Sequence, residues 1–304
     1  MANLGIKTLT VDLDPQANLT SALMDEPALE ALWSKDDSTI LGAVAPILEG
    51  IGDVANIPAL EVRDDLFLIP GNLGLSRFED KLSESWSKGF GGDPAALRVT
   101  SAFHRLIRTV GTSVGAQIVL MDVGPNLGAI NRAALLAADH LLIPLAADLY
   151  SLQGLRNLGP TVRKWKTDWR RTLDNTQVGF SLPSGNMSPI GYVVLQHAVR
   201  LDRPVKAYKK WLDRIPSEYR KSVLGDETTL WQQQLPGEVD PNSLATLRNY
   251  RSLMPMAQDA RKPMFELRPS DGAIGSHAQY VQTCYVEFRN LTEQILGRMG
   301  ISGF

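Results

Sequence analysis

The sequence contains a single cysteine, Cys284, among 304 residues. One cysteine excludes an intrachain disulfide and any cysteine-rich zinc or iron-sulfur site, which is the usual situation in a reducing cytoplasm. Because Cys284 stands between Thr283 and Tyr285 in a helical pattern, we interpret it as a packed core residue rather than a catalytic thiol.

An excess of charge of one sign and long apolar runs are also lacking. The 31 basic and 33 acidic side chains leave a formal net charge of -2 and a pI near 6.1, which excludes a global positive field for nucleic acid. No apolar run approaches the roughly 18 residues that a membrane span requires, and the first residues show no secretory hydrophobic region. We therefore expect a soluble, cytoplasmic chain with no membrane span, in which any nucleic-acid contact comes from a local patch.

Acidic side chains follow three apolar runs that have β-strand character. Asp12 and Asp14 close the first run, Asp122 closes a run of four apolar residues, and Asp148 follows a third. The carboxyl ends of parallel strands share one edge of an open α/β sheet, and ligands bind at that edge. Helical patterns separate the runs, so the sequence predicts an α/β fold with a doubly wound, mostly parallel sheet flanked by helices. We expect residues 1–304 to form a single domain.

Two interpretations of these acids are open. Each carboxylate could cap the helix that follows its strand, because it accepts the free N–H groups of a helix start. The alternative is a magnesium site, since a hard cation that bridges phosphates takes oxygen ligands. Acids at three successive strand ends, two of them followed closely by proline, favour the metal site.

Basic and aromatic residues are mixed in two later segments, 162–171 and 205–214. Such segments can neutralise DNA phosphates and offer rings for base stacking. The candidates for DNA contact in the first segment are Arg163, Lys164, Arg170 and Arg171. The alternative is a pair of solvated helices whose tryptophans pack inward.

Two segments carry a resemblance to a known family. Residues 11–20, Val-Asp-Leu-Asp-Pro-Gln-Ala-Asn-Leu-Thr, resemble the switch I segment of ParA/MinD-family ATPases. Residues 119–128, Val-Leu-Met-Asp-Val-Gly-Pro-Asn-Leu-Gly, are similar to the Walker B and switch II segments of that family. Further similarities follow in the family's order, at 137–145, 151–155 and 262–265. The resemblance covers about residues 3–298 and implies a fold of the P-loop NTPase type.

The resemblance also implies roles for individual residues. Asp14 would be the catalytic residue that positions the attacking water, and Asp122 would bind Mg²⁺, usually through water. Asp12 would support the metal and phosphate shell, while Gly124 and Pro125 would form the loop that senses the γ-phosphate of ATP.

Partners and function follow from the same resemblance. Asp148 would lie near the face where nucleotide-bound subunits pair, and Gln196 near the adenine edge. The implied function is plasmid or chromosome partition, with ATP-dependent homodimerisation, nonspecific DNA binding, Mg²⁺-dependent ATP hydrolysis and a ParB-like partner protein. An amide ligase or synthetase of the same superfamily is a weaker alternative, because no further substrate-site pattern is visible.

The sequence departs from the family in one motif. No G-x-x-x-x-G-K-[ST] phosphate loop occurs in the 304 residues, and the glycine-rich stretch at 89–93 contains no lysine. Either the start lies inside a longer reading frame that encodes the first strand, the loop and a helix, or the chain has lost nucleotide binding. We expect the 304-residue chain to bind ATP weakly or not at all. The alternative function is a non-catalytic scaffold or DNA-binding remnant of the family.

Overall fold

The computed structural model describes residues 1–35, 37–195, 205–226, 240–250 and 252–301. The chain divides into two compact units. Unit 1 comprises Met1–Asp139 and Trp165–Met187, and unit 2 comprises His140–Lys164 and Ser188–Phe304. The expectation of a single domain over the whole chain stays a prediction.

Unit 1 is built on a four-stranded sheet in the order β2, β3, β1, β4. Its strands are β1 (Thr8–Asp12), β2 (Leu60–Arg63), β3 (Leu66–Ile69) and β4 (Ile118–Asp122). β1 pairs in parallel with both β3 and β4, whereas β2 and β3 form an antiparallel pair. Asp12 lies opposite Asp122 in the register of β1 and β4, so the predicted acidic strand ends are neighbours.

Helices cover this sheet and form a continuous core with it. They are α1 (Asn18–Leu23), α2 (Glu26–Trp33), α3 (Ile40–Glu49), α4 (Arg77–Gly89), α5 (Pro94–Thr100), α6 (Ala102–Val114) and α7 (Ala129–Ala137), with 3-10 turns at Ala2–Leu4 and Leu73–Ser76. Leu9 and Val11 of β1 are fully buried in the same core cluster as Phe78 and Phe103, whose rings meet edge to face. The parallel, helix-flanked sheet that the sequence predicts is confirmed.

Apolar residues recur near helical spacing from Leu97 to Val110 and predict one long helix from Pro94, but the observed helix is interrupted. α5 ends at Thr100 and α6 begins at Ala102. The Thr100 hydroxyl donates to the carbonyl of Ala96 at 3.0 Å, and the Ser101 hydroxyl donates to Leu97 at 2.7 Å. Side-chain bonds of this kind compete with the helical ladder and favour a bend, which accounts for the break.

The four successive apolar residues before Asp122 predict a strand that is buried on both faces, and for β4 this prediction is wrong. Leu120 is 43% exposed and the Asp122 side chain is also exposed, whereas every residue of β1 is buried. β1 lies between two strands, while β4 has β1 as its only partner in the described sheet. The hydrophobic run therefore identified the strand but not its position at the sheet edge.

Unit 2 contains a parallel three-stranded sheet in the order β5, β6, β7. Its strands are β5 (His140–Ala146), β6 (Ser188–Leu195) and β7 (Ser243–Leu247), and the sequence pattern did not predict β7. The helices are α8 (Leu149–Asp174), which contributes residues to both units, α9 (Val205–Leu212), α10 (Ile215–Tyr219) with a π-helical turn at Arg220–Leu224, α11 (Leu253–Ala260) and α12 (Ser276–Arg298), with 3-10 turns at Met264–Glu266 and Pro269–Asp271.

Two further expectations concern Cys284 and membrane-spanning helices. Cys284 on α12 is fully buried, and burial raises the pKa of its thiol to about 12, so its interpretation as a core residue is confirmed. Across the described ranges, no helix combines the length and the apolar character that crossing a membrane requires.

Candidate functional site

Asp12 ends β1 with a carboxylate that is fully buried. Its Oδ2 accepts two hydrogen bonds from Thr20, one from the backbone N–H at 2.8 Å and one from the hydroxyl at 2.6 Å. Within the described part of the chain, Oδ1 of Asp12 has no hydrogen-bond partner. Asn18 and Thr20 have side chains of the kind that cap helices, and the sequence predicts one of them as the cap of α1. Ala17 is the N-cap instead, and Thr20 binds Asp12.

Gly71 allows the chain after β3 to approach this carboxylate. A Cβ placed on Gly71 would lie 2.7 Å from Cγ of Asp12, closer than any real contact of that kind. The N–H of Gly71 donates to Oγ1 of Thr20 at 2.7 Å, and its carbonyl accepts from Nε1 of Trp33 at 3.2 Å. Glycine is required here because the backbone itself packs on Asp12.

Asp14 lies just beyond the end of β1 and faces loop 124–128. Its Oδ1 accepts the N–H of Gln16 at 3.0 Å, and a Cβ built on Gly124 would lie 3.4 Å from that same oxygen. Asp14 therefore stands where the predicted switch I and switch II segments meet.

Asn131 on α7 holds loop 124–128 in place. Its side chain is 3% exposed, and Nδ2 donates to the carbonyls of Gly124 and Asn126, each at 2.5 Å. The Asn126 side chain in turn accepts the N–H of Gly128 at 2.9 Å. The sequence reasoning missed Asn131, although a single amide in an apolar, alanine-rich helix was a usable signal.

Glu79 on α4 was missed as well. Its Oε1 accepts the N–H of Ala129 at 2.5 Å, and its Oε2 accepts the N–H of Ile130 at 2.8 Å. The carboxylate thus caps the start of α7 from 50 residues away along the chain. No local pattern signals a cap at that separation.

The carboxylates at this edge act on one another electrostatically. Desolvation raises the pKa of Asp122, although its side chain reaches solvent, and the charges of Asp12 and Asp14 raise it further. Burial also raises the pKa of Asp12, against the lowering effect of the hydrogen bonds from Thr20. The three carboxylates therefore form one negative cluster at the carboxyl ends of β1 and β4.

This cluster fits a hydrated divalent cation better than a bare one. Oxygen donors and unrelieved negative charge suit Mg²⁺, which usually keeps several waters when it binds to one or two carboxylates. In the described ranges, no group of three or more His, Cys, Asp or Glu side chains lies close enough to hold a metal by itself. Any cation at this edge would take most of its ligands from water or substrate.

The described residues of this cluster do not by themselves neutralise the charge of a triphosphate. The influences on the pKa of Asp12 and Asp122 are burial, other carboxylates and hydrogen-bond donors, and no described cation is among them. Phosphate sites need amide cradles or basic side chains to neutralise the charge.

Asp148 behaves as a helix cap. Its Oδ1 accepts the N–H of Ser151 at 2.8 Å in the first turn of α8, in agreement with the capping interpretation for this acid. Tyr150 beside it is 85% exposed and Leu149 is 52% exposed. The role of Asp148 at a dimer interface stays a prediction.

The basic segment of α8 contributes to both units. In unit 1, Arg170 and Arg171 are exposed, while Trp165 and Trp169 are 7% and 1% exposed. Inward packing of these tryptophans is therefore confirmed, and their rings are not available for base stacking. In unit 2, Lys164 is exposed, and Nη1 of Arg163 donates to the carbonyls of Ser222 and Val223. Gln196 lies outside the described residues.

A family model described as an AAA domain matches residues 1–175, more than half of the chain. The chain belongs to this family, in its ParA/MinD branch. It is similar to the sporulation initiation inhibitor protein Soj of Bacillus subtilis, with 29% identity over 163 residues, which cover 54% of this chain and 55% of Soj. It is also similar to the chromosome-partitioning ATPase Soj of Thermus thermophilus, with 27% identity over 164 residues, which cover 54% of this chain and 52% of that protein.

Solved structures of ParA type share the fold. A putative plasmid partition protein from Borrelia burgdorferi, bound to AMPPNP, aligns with a TM-score of 0.56 over 98% of this chain and 90% of that chain. At 18% sequence identity, this likeness shows the fold alone. The chain spans about half the length of the curated ParA-type relatives that it matches. Asp12, Asp14, Asp122, Gly124 and Pro125 lie at the ends of β1 and β4 or in the loops that follow them, and the chemical roles of all the predicted site residues stay predictions.

Proposed function

We propose that this chain is the carboxylate-bearing part of a ParA-like ATPase of plasmid or chromosome partition, whose ATP turnover requires a glycine-lysine phosphate loop that the 304 residues do not contain. The observation that carries the proposal is the convergence of Asp12, Asp14, Asp122 and loop 124–128 at the carboxyl ends of β1 and β4. A relative in the same family is named a chromosome-partitioning ATPase, and a structural neighbour is named a plasmid partition protein. The proposed working form is a cytoplasmic homodimer that forms with ATP, binds DNA nonspecifically and responds to a ParB-like partner.

Each carboxylate has a separate role in this proposal. Asp122 is exposed and repelled by its neighbours, so it is the residue that would hold hydrated Mg²⁺. When bound, Mg²⁺ neutralises charge on the transferred phosphoryl group. Asp14 faces the loop and would orient the attacking water through a carboxylate oxygen. Asp12 is buried and bonded to Thr20, so it shapes the strand end and would support the metal shell from behind.

Nucleotide affinity is the first test. We expect weak or undetectable binding of Mg-ATP by the 304-residue chain, because the sequence contains no glycine-lysine phosphate loop and the carboxylate cluster repels phosphate. Equilibrium dialysis measures this directly. Micromolar affinity for Mg-ATP would contradict the expectation and would place a phosphate cradle elsewhere in the chain.

The second candidate function is a scaffold or DNA-binding remnant without catalysis. The poor fit of the carboxylate edge to phosphate favours it. Sedimentation velocity and gel shifts, each with and without millimolar Mg-ATP, separate the two functions. Dimerisation and DNA binding that both depend on Mg-ATP support the partition ATPase, whereas salt-dependent DNA binding that is indifferent to Mg-ATP supports the remnant.

The DNA surface has its own test. Arg170→Glu with Arg171→Glu reverses two exposed charges of unit 1, and Lys164→Glu tests unit 2 separately. Arg163→Glu also breaks the contact with Ser222, so a loss of binding in that variant is interpretable only if its stability is unchanged. Each lost phosphate contact should reduce, by about 1, the magnitude of the slope in a plot of the logarithm of the DNA-binding constant against the logarithm of salt concentration. Arg289→Glu on α12 is the control, and affinity equal to the control removes the patch from the proposal.

A further inference from the structure

The start of α7 is held by a residue that is remote in sequence. Gly128 occupies the N-cap position of α7, and its own side chain offers no acceptor. The first N–H groups of a helix need partners, and a carboxylate there also complements the helix dipole. Glu79 supplies both oxygens, one to Ala129 and one to Ile130. A Cβ on Gly128 would lie 2.5 Å from Oε1 of Glu79, so glycine at this position leaves room for the bond.

The next turn of α7 contacts a cluster of tryptophans. The guanidinium of Arg132 lies over the ring of Trp86 at 4.4 Å and over that of Trp165 at 5.8 Å from the centroid. Trp86 also stacks on Trp169, with centroids 6.1 Å apart and planes 14° apart. Trp165, Trp169 and Thr172 are the buried residues of segment 165–174 of α8, and the same segment exposes Arg170 and Arg171. All of these residues belong to unit 1.

Loop 124–128 and α8 therefore contact the same short stretch of α7. Asn131 holds the loop, Glu79 holds the helix start, and Arg132 touches the tryptophans. We propose that Glu79 is a positioning residue that, together with Arg132, couples the placement of loop 124–128 to the packing of residues 165–174 of α8. A shift of the loop that releases the Glu79 bonds would move Arg132 relative to the tryptophan rings. The use of this coupling in turnover rests on the proposed function, whereas the coupling itself is measured without nucleotide or DNA.

Hydrogen exchange and tryptophan emission together test the coupling in the 304-residue chain. Glu79→Gln should speed amide exchange at Ala129 and Ile130 about tenfold, since a hydrogen bond to a charged group contributes about 1.5 kcal/mol or more. It should also shift the tryptophan emission, although residue 79 lies seven positions from Trp86, about 10 Å along α4. Glu84→Gln on the exposed face of α4 is the matched control and should change neither signal.

A second substitution tests the arginine link. Arg132→Met removes the cation from the tryptophan rings and keeps an unbranched side chain that packs. In the Arg132→Met background, Glu79→Gln should still speed amide exchange at Ala129 and Ile130. It should no longer shift the tryptophan emission, because the guanidinium that contacts the tryptophan rings is absent. An equal emission shift in both backgrounds would overturn the coupling. Unchanged exchange at Ala129 and Ile130 in Glu79→Gln would overturn the positioning role of Glu79.

A weaker substitution protects the test against loss of folding. If Glu79→Gln does not fold, Glu79→Asp keeps the charge but shortens the side chain by one methylene, and the same comparisons apply. The exchange and emission measurements use neither ATP nor DNA, so a chain that binds neither ligand can still show the coupling. Absence of the coupling would likewise leave the ATP-binding and DNA-binding tests valid. The two proposals can therefore fail separately.

Discussion

Thr20 donates both its backbone N–H and its hydroxyl to a single oxygen of Asp12, at 2.8 and 2.6 Å. The two residues are eight positions apart, and both side chains are fully buried. The same hydroxyl oxygen of Thr20 accepts the N–H of Gly71. The end of β1, the start of α1 and the chain after β3 are therefore joined through this one hydroxyl group. Burying a carboxylate costs free energy unless its oxygens accept hydrogen bonds, and Thr20 supplies two such bonds to Oδ2 of Asp12. Among the described residues, none makes a hydrogen bond of ordinary geometry to Oδ1 of Asp12.

Replacing Thr20 by valine should destabilise unit 1. The change keeps the shape and the backbone donor but leaves Oδ2 of Asp12 and the N–H of Gly71 each without the hydroxyl. We expect a loss of about 1 to 3 kcal/mol in the free energy of unfolding at pH 7, measured by urea denaturation. Thr20→Ser retains the hydroxyl and is the control. Equal stability of the valine and serine variants would show that the hydroxyl contributes nothing.

Replacing Asp122 by asparagine should stabilise the protein at neutral pH. Desolvation and the charges of Asp12 and Asp14 raise the Asp122 pKa above its ordinary value of 3.8. Well below pH 3.8, Asp122 is protonated in both the folded and the unfolded protein and does not lower the free energy of unfolding. As the pH rises from 3.8 through the higher pKa of the folded state, the unfolded protein loses this proton more easily than the folded protein, so Asp122 progressively lowers the free energy of unfolding.

Urea midpoints measured across pH check this prediction. The advantage of Asp122→Asn should be present at pH 7 and should vanish at about pH 4 and below. Glu61→Gln, an exposed carboxylate of β2 in the same sheet, controls for the loss of one negative charge. An advantage that is constant with pH would exclude charge repulsion as its cause.

Gly159 should be intolerant of alanine. A Cβ at this position of α8 would lie 1.8 Å from the backbone oxygen of Ser222 in unit 2, so α8 and the π-helical turn would have to separate. We expect a loss of about 1 to 3 kcal/mol or more in the free energy of unfolding, as for other overpacked sites. Gly154→Ala on the same helix meets no atom within 4 Å and should stabilise by about 0.5 to 1 kcal/mol. Similar stability of the two variants in thermal denaturation would contradict the close approach.

Cys284 should resist thiol reagents in the native protein. Its side chain is fully buried, and burial raises the thiol pKa to about 12, so the reactive thiolate is scarce at pH 8. Ellman's reagent should give one thiol per chain in denaturant and almost none under native conditions over minutes. Rapid native labelling would show that α12 opens readily.

Much of the fold and of the carboxylate edge was predictable from local pattern. The apolar runs before Asp12, Asp122 and Asp148 identified β1, β4 and β5, because a buried strand must be apolar and short. The weak strands β2 and β7 were missed, since their short, mixed sequences have little preference of their own and depend on pairing with a neighbour. Asp148 illustrates the limit for single residues, because the same acid at a strand end serves as a helix cap.

The sequence by itself determined the strand-helix alternation, the family and the acids at the strand ends, because these follow from periodicity and from motifs of adjacent residues. Only the tertiary structure decided that Asp12 is bonded to Thr20, that β4 lies at a sheet edge, and that Glu79 caps α7. Those contacts join residues that are eight to about 50 positions apart or depend on which strand has a second neighbour. The spacing of residues along the chain does not predict such contacts, because they form only when the whole unit packs together.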